Sequence, residues 1–177
     1  MLQLQYFERS DFEQLLEWVN SEELMINWAG SLFTYPLTQK SLDWYIENVN
    51  DLEKSDVFIY KATDSTTGNT IGHISLGSIS RKNRSGRITR VLVSDTGRGK
   101  GCCQNMVNAL LKIGFDDLKL HRISLGAYTT NPSAINCYKK CGFVIEGITR
   151  DVLWFGNEWW SLMEMSILED EWRAATK

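Results

Sequence analysis

The run Val91-Leu92-Val93-Ser94-Asp95-Thr96-Gly97-Arg98-Gly99-Lys100-Gly101 carries a β-rich segment straight into three alternate glycines, and a helical pattern opens behind it. Few local arrangements satisfy such a junction. Glycines there let the backbone fold tightly around a bound group, and the first N–H groups of the following helix have no acceptor of their own. Those donors, with the positive end of the helix dipole behind them, favour an anion. Arg98 and Lys100 add positive charge at the rim, so the segment is expected to cradle a pyrophosphate. A Walker loop would require GxxxxGK[ST], and a dinucleotide fingerprint would require GxGxxG on the first strand of its domain; GxGxG in mid-chain fits neither. A glycine turn chosen only for its shape is the remaining reading.

The flanking sequence predicts a mixed α/β fold. Leu2, Leu4 and Tyr6 alternate with Gln3 and Gln5 as in a half-buried strand. Ser10 and Asp11 cap a helix through Leu15, Leu16 and Val19. Residues 25–36 read as an irregular loop carrying Trp28, Phe33 and Tyr35, and Thr38 then caps a helix with Leu42, Tyr45, Ile46 and Val49 on one face. Strands are expected at 57–62, 70–77 and 88–93, with a polar turn at 81–86. Beyond the glycine turn come a helix (Cys103, Met106, Val107, Leu110 and Gly114), a strand at 121–127, a helix at 134–141, and strands at 143–149 and 159–167. Antiparallel strands followed by alternating helices and strands predict a mixed sheet with helices on its faces. Residues 1–177 are expected to form one domain, since no linker or repeat interrupts them.

Composition narrows the partners. With 19 Lys and Arg against 22 Asp and Glu, the chain has no basic excess for a phosphate backbone, so nucleic acid is not expected. No run approaches the roughly 20 apolar residues needed to cross a bilayer, so no membrane partner is expected and a cytoplasmic location is. The cysteines at 102, 103, 137 and 141 lack the paired CxxC spacing of a zinc site; they read as free, apolar side chains, and no metal is expected.

Thirty residues beyond the turn stands Asn131-Pro132-Ser133-Ala134-Ile135-Asn136-Cys137-Tyr138-Lys139-Lys140-Cys141-Gly142-Phe143. Together with Arg98-Gly99-Lys100-Gly101, this segment resembles the two halves of the coenzyme A site in the GNAT acetyltransferase superfamily. Gly147-Ile148-Thr149-Arg150-Asp151, Met165-Ser166-Ile167-Leu168 and Glu171-Trp172 are similar to the branch containing ribosomal-protein N-terminal acetyltransferases and polyamine acetyltransferases. In one respect the chain departs: the superfamily places Gln or Arg where Thr96 stands.

The resemblance implies a mostly antiparallel sheet with a splayed strand pair, and direct transfer of the acetyl group of acetyl-CoA to a primary amine in a ternary complex. It implies a coenzyme A site comprising Leu92, Val93, Arg98, Gly99, Lys100, Gly101, Cys102, Asn131 and Tyr138. A backbone N–H of Leu92-Val93 would bind the thioester oxygen, and Tyr138 would protonate the departing thiolate, unless it is a core tyrosine. Asn131 also reads as a helix N-cap. Trp28, Phe33 and Tyr35 are either an acceptor pocket, since aromatic faces attract cations, or a cover for the core or a dimer contact. A homodimer through the last strands, with Trp154, Trp159 and Trp160, is also expected. His73, Glu146 and Glu158 are candidate bases, and none is assigned. An α-amine, with a pKa of about 7.7 to 8.0, would remove the need for one. The acceptor is thus a protein N-terminus, a polyamine or another small amine. A non-catalytic acyl-CoA-binding module, or an interaction domain that binds no nucleotide, remain as alternatives.

Overall fold

The computed structural model describes residues 2–176. In chain order the elements are β1 (Leu2–Tyr6), α1 (Phe12–Trp18), α2 (Glu22–Ala29), α3 (Gln39–Tyr45), β2 (Phe58–Asp64), β3 (Thr70–Ser80) and β4 (Ser85–Val93), followed by α4 (Cys102–Lys112), β5 (Arg122–Tyr128), α5 (Pro132–Lys140), β6 (Val144–Phe155), β7 (Glu158–Leu168) and α6 (Glu169–Ala175). The strands form one sheet in the order β1-β2-β3-β4-β5-β7-β6. All neighbours are antiparallel except β4 and β5.

Helices cover both faces, as the sequence pattern predicts. On one side α4 and α5 pack Met106, Val107, Leu110, Ile135 and Tyr138 against Ile74, Leu76, Ile88 and Ile123 of the sheet. On the other side α1, α2 and α3 pack Leu15, Met25, Trp28, Leu42 and Tyr45 against Ile59 and Leu92. The central strand β3 is therefore buried on both faces, and six consecutive residues from Gly72 to Gly77 are buried.

Residues 25–36 depart from the expected loop, because the first five belong to α2. Ser21 caps that helix, its hydroxyl accepting from the Leu24 N–H at 3.2 Å, while Met25, Ile26 and Trp28 turn one face to the core. Irregular chain starts only at Gly30, whose φ of +57° ends the helix. Capping and burial outweighed the aromatic, glycine and proline signals that suggested a loop. The third helix stops at Tyr45, short of Ile46 and Val49. The polar turn is shorter than expected, since β4 begins at Ser85.

The cysteines also differ from expectation. Cys103 of α4 and Cys137 of α5 form a disulfide with a Cα–Cα distance of 6.6 Å, leaving Cys102 and Cys141 free. The two helices lie side by side, so residues 34 apart in sequence meet, a pairing that no local spacing announces. Among the described residues no three His, Cys, Asp or Glu side chains are placed to hold a metal, and no helix is long and apolar enough to cross a membrane.

Candidate active site

The site begins where a ladder stops. Strands β4 and β5 pair only from Ser85–Arg122 to Arg87–Ser124, although β4 runs on to Val93 and β5 to Tyr128. Beyond Arg87 the two diverge, and a cleft opens between them. On its other side β4 carries a bulge: His73 faces Leu92 but Ser75 faces Thr89, so β4 has one residue too many between them. Arg90 absorbs it at φ +54°, a left-handed conformation that costs a residue with a Cβ about 1–2 kcal/mol. The bulge is held in place by the indole N–H of Trp28, which donates to the Arg90 carbonyl at 3.0 Å.

One end of the cleft is a cavity of about 470 Å³ under the glycine turn, reached by Leu92, Val93, Arg98, Gly99, Gly101 and Cys102. Both Gly99 and Gly101 have φ +74°, and Gly101 is the N-cap of α4. A Cβ at either glycine would meet nothing within 4 Å, so these positions need glycine for backbone conformation and not for space. The first helical bond runs from the Asn105 N–H to the Gly101 carbonyl at 3.1 Å, which leaves the preceding amides without a helical acceptor. An anion fits this arrangement. Arg98 pairs with Asp95 at 2.9 Å on the exposed rim, and Lys100 is exposed and lies outside the cavity wall.

The second wall is α5. Asn131 caps it, its Oδ1 accepting from the Ala134 N–H at 3.1 Å, and also lines the cavity. Tyr138 packs on Phe143 with only 5% of its surface exposed, yet lines both ends of the cleft. Burial, reinforced by the Cys141 thiol, raises its phenol well above the ordinary value of 10.0. The group therefore stays protonated at neutral pH, the state a proton donor needs. Cys141 is itself pushed up to about 11 by burial.

The other end is a smaller cavity of about 170 Å³, which shares Trp28, Val91, Asn131 and Tyr138 with the first, making one continuous cleft. Arg87, Thr89, Arg90, Tyr128 and Leu162 close it. Arg87 holds Glu164 in a bidentate pair at 2.8 and 3.2 Å. Gly126 lets that pair lie flat on β5, because a Cβ there would come within 2.7 Å of the Arg87 guanidinium. None of these residues was singled out from the sequence. Arg87 and Glu164 are separated by 77 positions, and no local spacing announces their meeting.

Of the three aromatic candidates, Trp28 lines the cleft. Phe33 stacks behind it at 5.6 Å inside the core, and Tyr35 is exposed, donating to the Asn20 carbonyl at 3.1 Å; neither reaches the cavities. The candidate bases also lie elsewhere. His73 is buried among Phe7, Trp28 and Tyr45, and burial together with the nearby Arg90 charge lowers it to about 3. Glu146 pairs with Arg122 at 2.8 Å, and Glu158 accepts from the Trp160 indole at 2.8 Å in the terminal hairpin.

Comparison with known proteins decides the family. Residues 1–144 match the family model described as an acetyltransferase (GNAT) domain. The chain belongs to the GNAT acetyltransferase family. Among GNAT relatives, it is 25% identical to a spermidine N(1)-acetyltransferase of Vibrio cholerae over 97% of this chain and 95% of that protein. It is 25% identical to an aminoglycoside N(6')-acetyltransferase of Klebsiella pneumoniae over 81% of this chain and 74% of that one. The crystal structure of the Vibrio cholerae spermidine N-acetyltransferase in complex with CoA and spermine superposes with a TM-score of 0.83, covering 97% of this chain and 98% of that one at 24% identity. The two chains thus share a fold.

Proposed function

We propose that this GNAT chain transfers the acetyl group of acetyl-CoA directly to a primary amine, with both substrates in the cleft between β4 and β5. The observation that carries the reading is the continuity of that cleft: an anion cradle at one end, a protonated phenol in the middle, and a second chamber beyond it. Bound acetyl-CoA would supply an activated acyl group. Leu92, Val93, Gly99, Gly101, Cys102 and Asn131 would hold it, with Arg98 and Lys100 lending charge at the rim.

Each remaining task falls to a residue of this chain. Bulged β4 presents backbone donors toward the gap where β5 has moved away, a preorganised site for the charge that develops on a carbonyl oxygen. Tyr138 holds a proton at its phenolic oxygen for the departing sulfur. No carboxylate or imidazole lines either chamber among the described residues, which favours an amine that is partly neutral at working pH, such as an α-amine. A homodimer belongs to the same proposal. The β6–β7 hairpin exposes Ile148, Val152, Trp154 and Trp159, the two tryptophans at 54% and 57%, an apolar surface suited to a second copy. The cytoplasmic setting expected from the sequence is part of it too.

Thiol release from acetyl-CoA in the presence of an amine panel tests the transferase, and sedimentation tests the dimer. Tight acetyl-CoA binding without thiol release from any acceptor would favour a binding module instead. No acetyl-CoA binding at all would overturn the reading.

A further inference from the structure

We infer that the acceptor carries a carboxylate close to its reacting amine, and that Arg90 recognises it. The inference rests on the transferase reading and names the substrate class for that same site.

Arg90 and Arg87 bring two positive charges to the acceptor chamber, and among the described residues no Asp or Glu lines it. Their situations differ. Arg87 is neutralised by its bidentate pair with Glu164. Among the described residues no carboxylate lies within ion-pair distance of Arg90, whose Nε donates to the Tyr45 hydroxyl at 3.0 Å while its guanidinium sits 5.1 Å from that ring. The chamber is left with one uncompensated cation.

That cation is firmly placed. Its carbonyl is tied to the Trp28 indole, its Nε to Tyr45, and Tyr45 in turn hydrogen-bonds with buried His73 at 3.1 Å. Its backbone occupies a left-handed conformation on the bulge, which fixes where the side chain starts. A guanidinium held at one nitrogen still offers its outer N–H groups in a planar fork, the geometry that matches a carboxylate. A polycationic acceptor would instead bring further like charge to a chamber already positive. The charge in this chamber thus favours a different acceptor from the spermidine of the Vibrio cholerae relative.

Two sources supply an amine next to a carboxylate: a free amino acid, and a peptide N-terminus with an acidic residue in its first positions. The full chain is assayed with acetyl-CoA by thiol release against glycine and alanine, their amides glycinamide and alaninamide, peptides starting Ser-Glu or Ser-Lys, and spermidine. Carboxylate-bearing acceptors are expected to exceed their neutral or cationic counterparts in kcat/KM by about 10- to 100-fold, the range of one charge-assisted hydrogen-bonded contact. The amino-acid and peptide arms tell the two sources apart. Arg90→Gln, which keeps a donor for Tyr45, is expected to reduce the preference to below about threefold through KM, with acetyl-CoA affinity unchanged. Equal or better turnover of spermidine or the amides would overturn the inference and leave the transferase standing, even if Arg90→Gln fails to fold. Absence of turnover with every acceptor would overturn the transferase reading and this inference with it.

Discussion

Replacing Gly99 by Glu and, separately, by Gln separates charge from shape at the anion cradle. Both side chains have the same length, and both force a residue with a Cβ into φ +74°, a folding cost of about 1–2 kcal/mol that the pair shares. Neither Cβ collides with anything, since no atom lies within 4 Å of that point. What remains is a carboxylate beside the proposed diphosphate. Two unit charges about 4 Å apart repel by about 1 kcal/mol in bulk water and about 4 kcal/mol near a protein surface, and Gly99 is exposed. Two phosphate charges at the watery end of that range give about 2–3 kcal/mol. Calorimetric titration with acetyl-CoA should therefore show Gly99→Glu binding about 30- to 150-fold more weakly than Gly99→Gln, with the gap shrinking in high salt. Equal affinities for the two variants at low salt would mean that no anion sits at the turn, and the coenzyme site would have to be abandoned.

Tyr138→Phe should lower kcat by about 100-fold while leaving acetyl-CoA affinity and melting temperature almost unchanged, because the hydroxyl makes no hydrogen bond among the described residues; an unaltered kcat would remove it from the mechanism. His73 has a folded-state value of about 3 against an ordinary 6.5, so below 6.5 the unfolded chain takes up a proton that the folded chain refuses. Stability from this group is complete above 6.5 and declines as pH falls toward 3, by about 2 kcal/mol between about pH 7 and about pH 5. Denaturant titrations at the two pH values should show that loss in the wild type and a smaller one in His73→Gln; identical losses would place the acid sensitivity elsewhere. Full reduction of the Cys103–Cys137 bridge, with its sequence separation of 34, should cost about 3–4 kcal/mol in the chain-entropy model, read as a lower melting temperature once mass spectrometry confirms free thiols. An unchanged melting temperature would show that helix packing alone holds α4 to α5.

The half of the cleft under the glycine turn was legible because its demands are local. A left-handed backbone calls for glycine at the residue itself, and Gly99 and Gly101 stand at the positions with φ +74°. A helix cap calls for Asn or Ser at one end, and Asn131 stands there with Pro132 behind it. Tyr138 lies one turn after Ala134, so helical period alone sets both on the face toward the cleft. Where the same local signs were set against burial, they misled. Trp28 lies beside Gly30 and near Pro36, yet its neighbours Met25 and Ile26 carry the helix that pins the β4 bulge.

The acceptor half is assembled by topology, and a sequence read along its length has no measure of that. Trp28 comes from α2, Arg87 and Arg90 from β4, Tyr128 from β5, and Leu162 from β7, so the chamber's charge balance depends on which arginine Glu164 reaches. Had Glu164 stood opposite Arg90, Arg87 would carry the unpaired charge, and the cation would sit at a different place in the chamber. His73 makes the same point from the other direction. It stands in the sequence as one of three unassigned candidate bases, but helices cover β3 on both faces, so its residues from Gly72 to Gly77 are buried. Burial keeps that imidazole neutral and gives it to Tyr45, which places Arg90. A residue that reads as catalytic chemistry in one dimension becomes, in three, the support for a residue that selects the substrate.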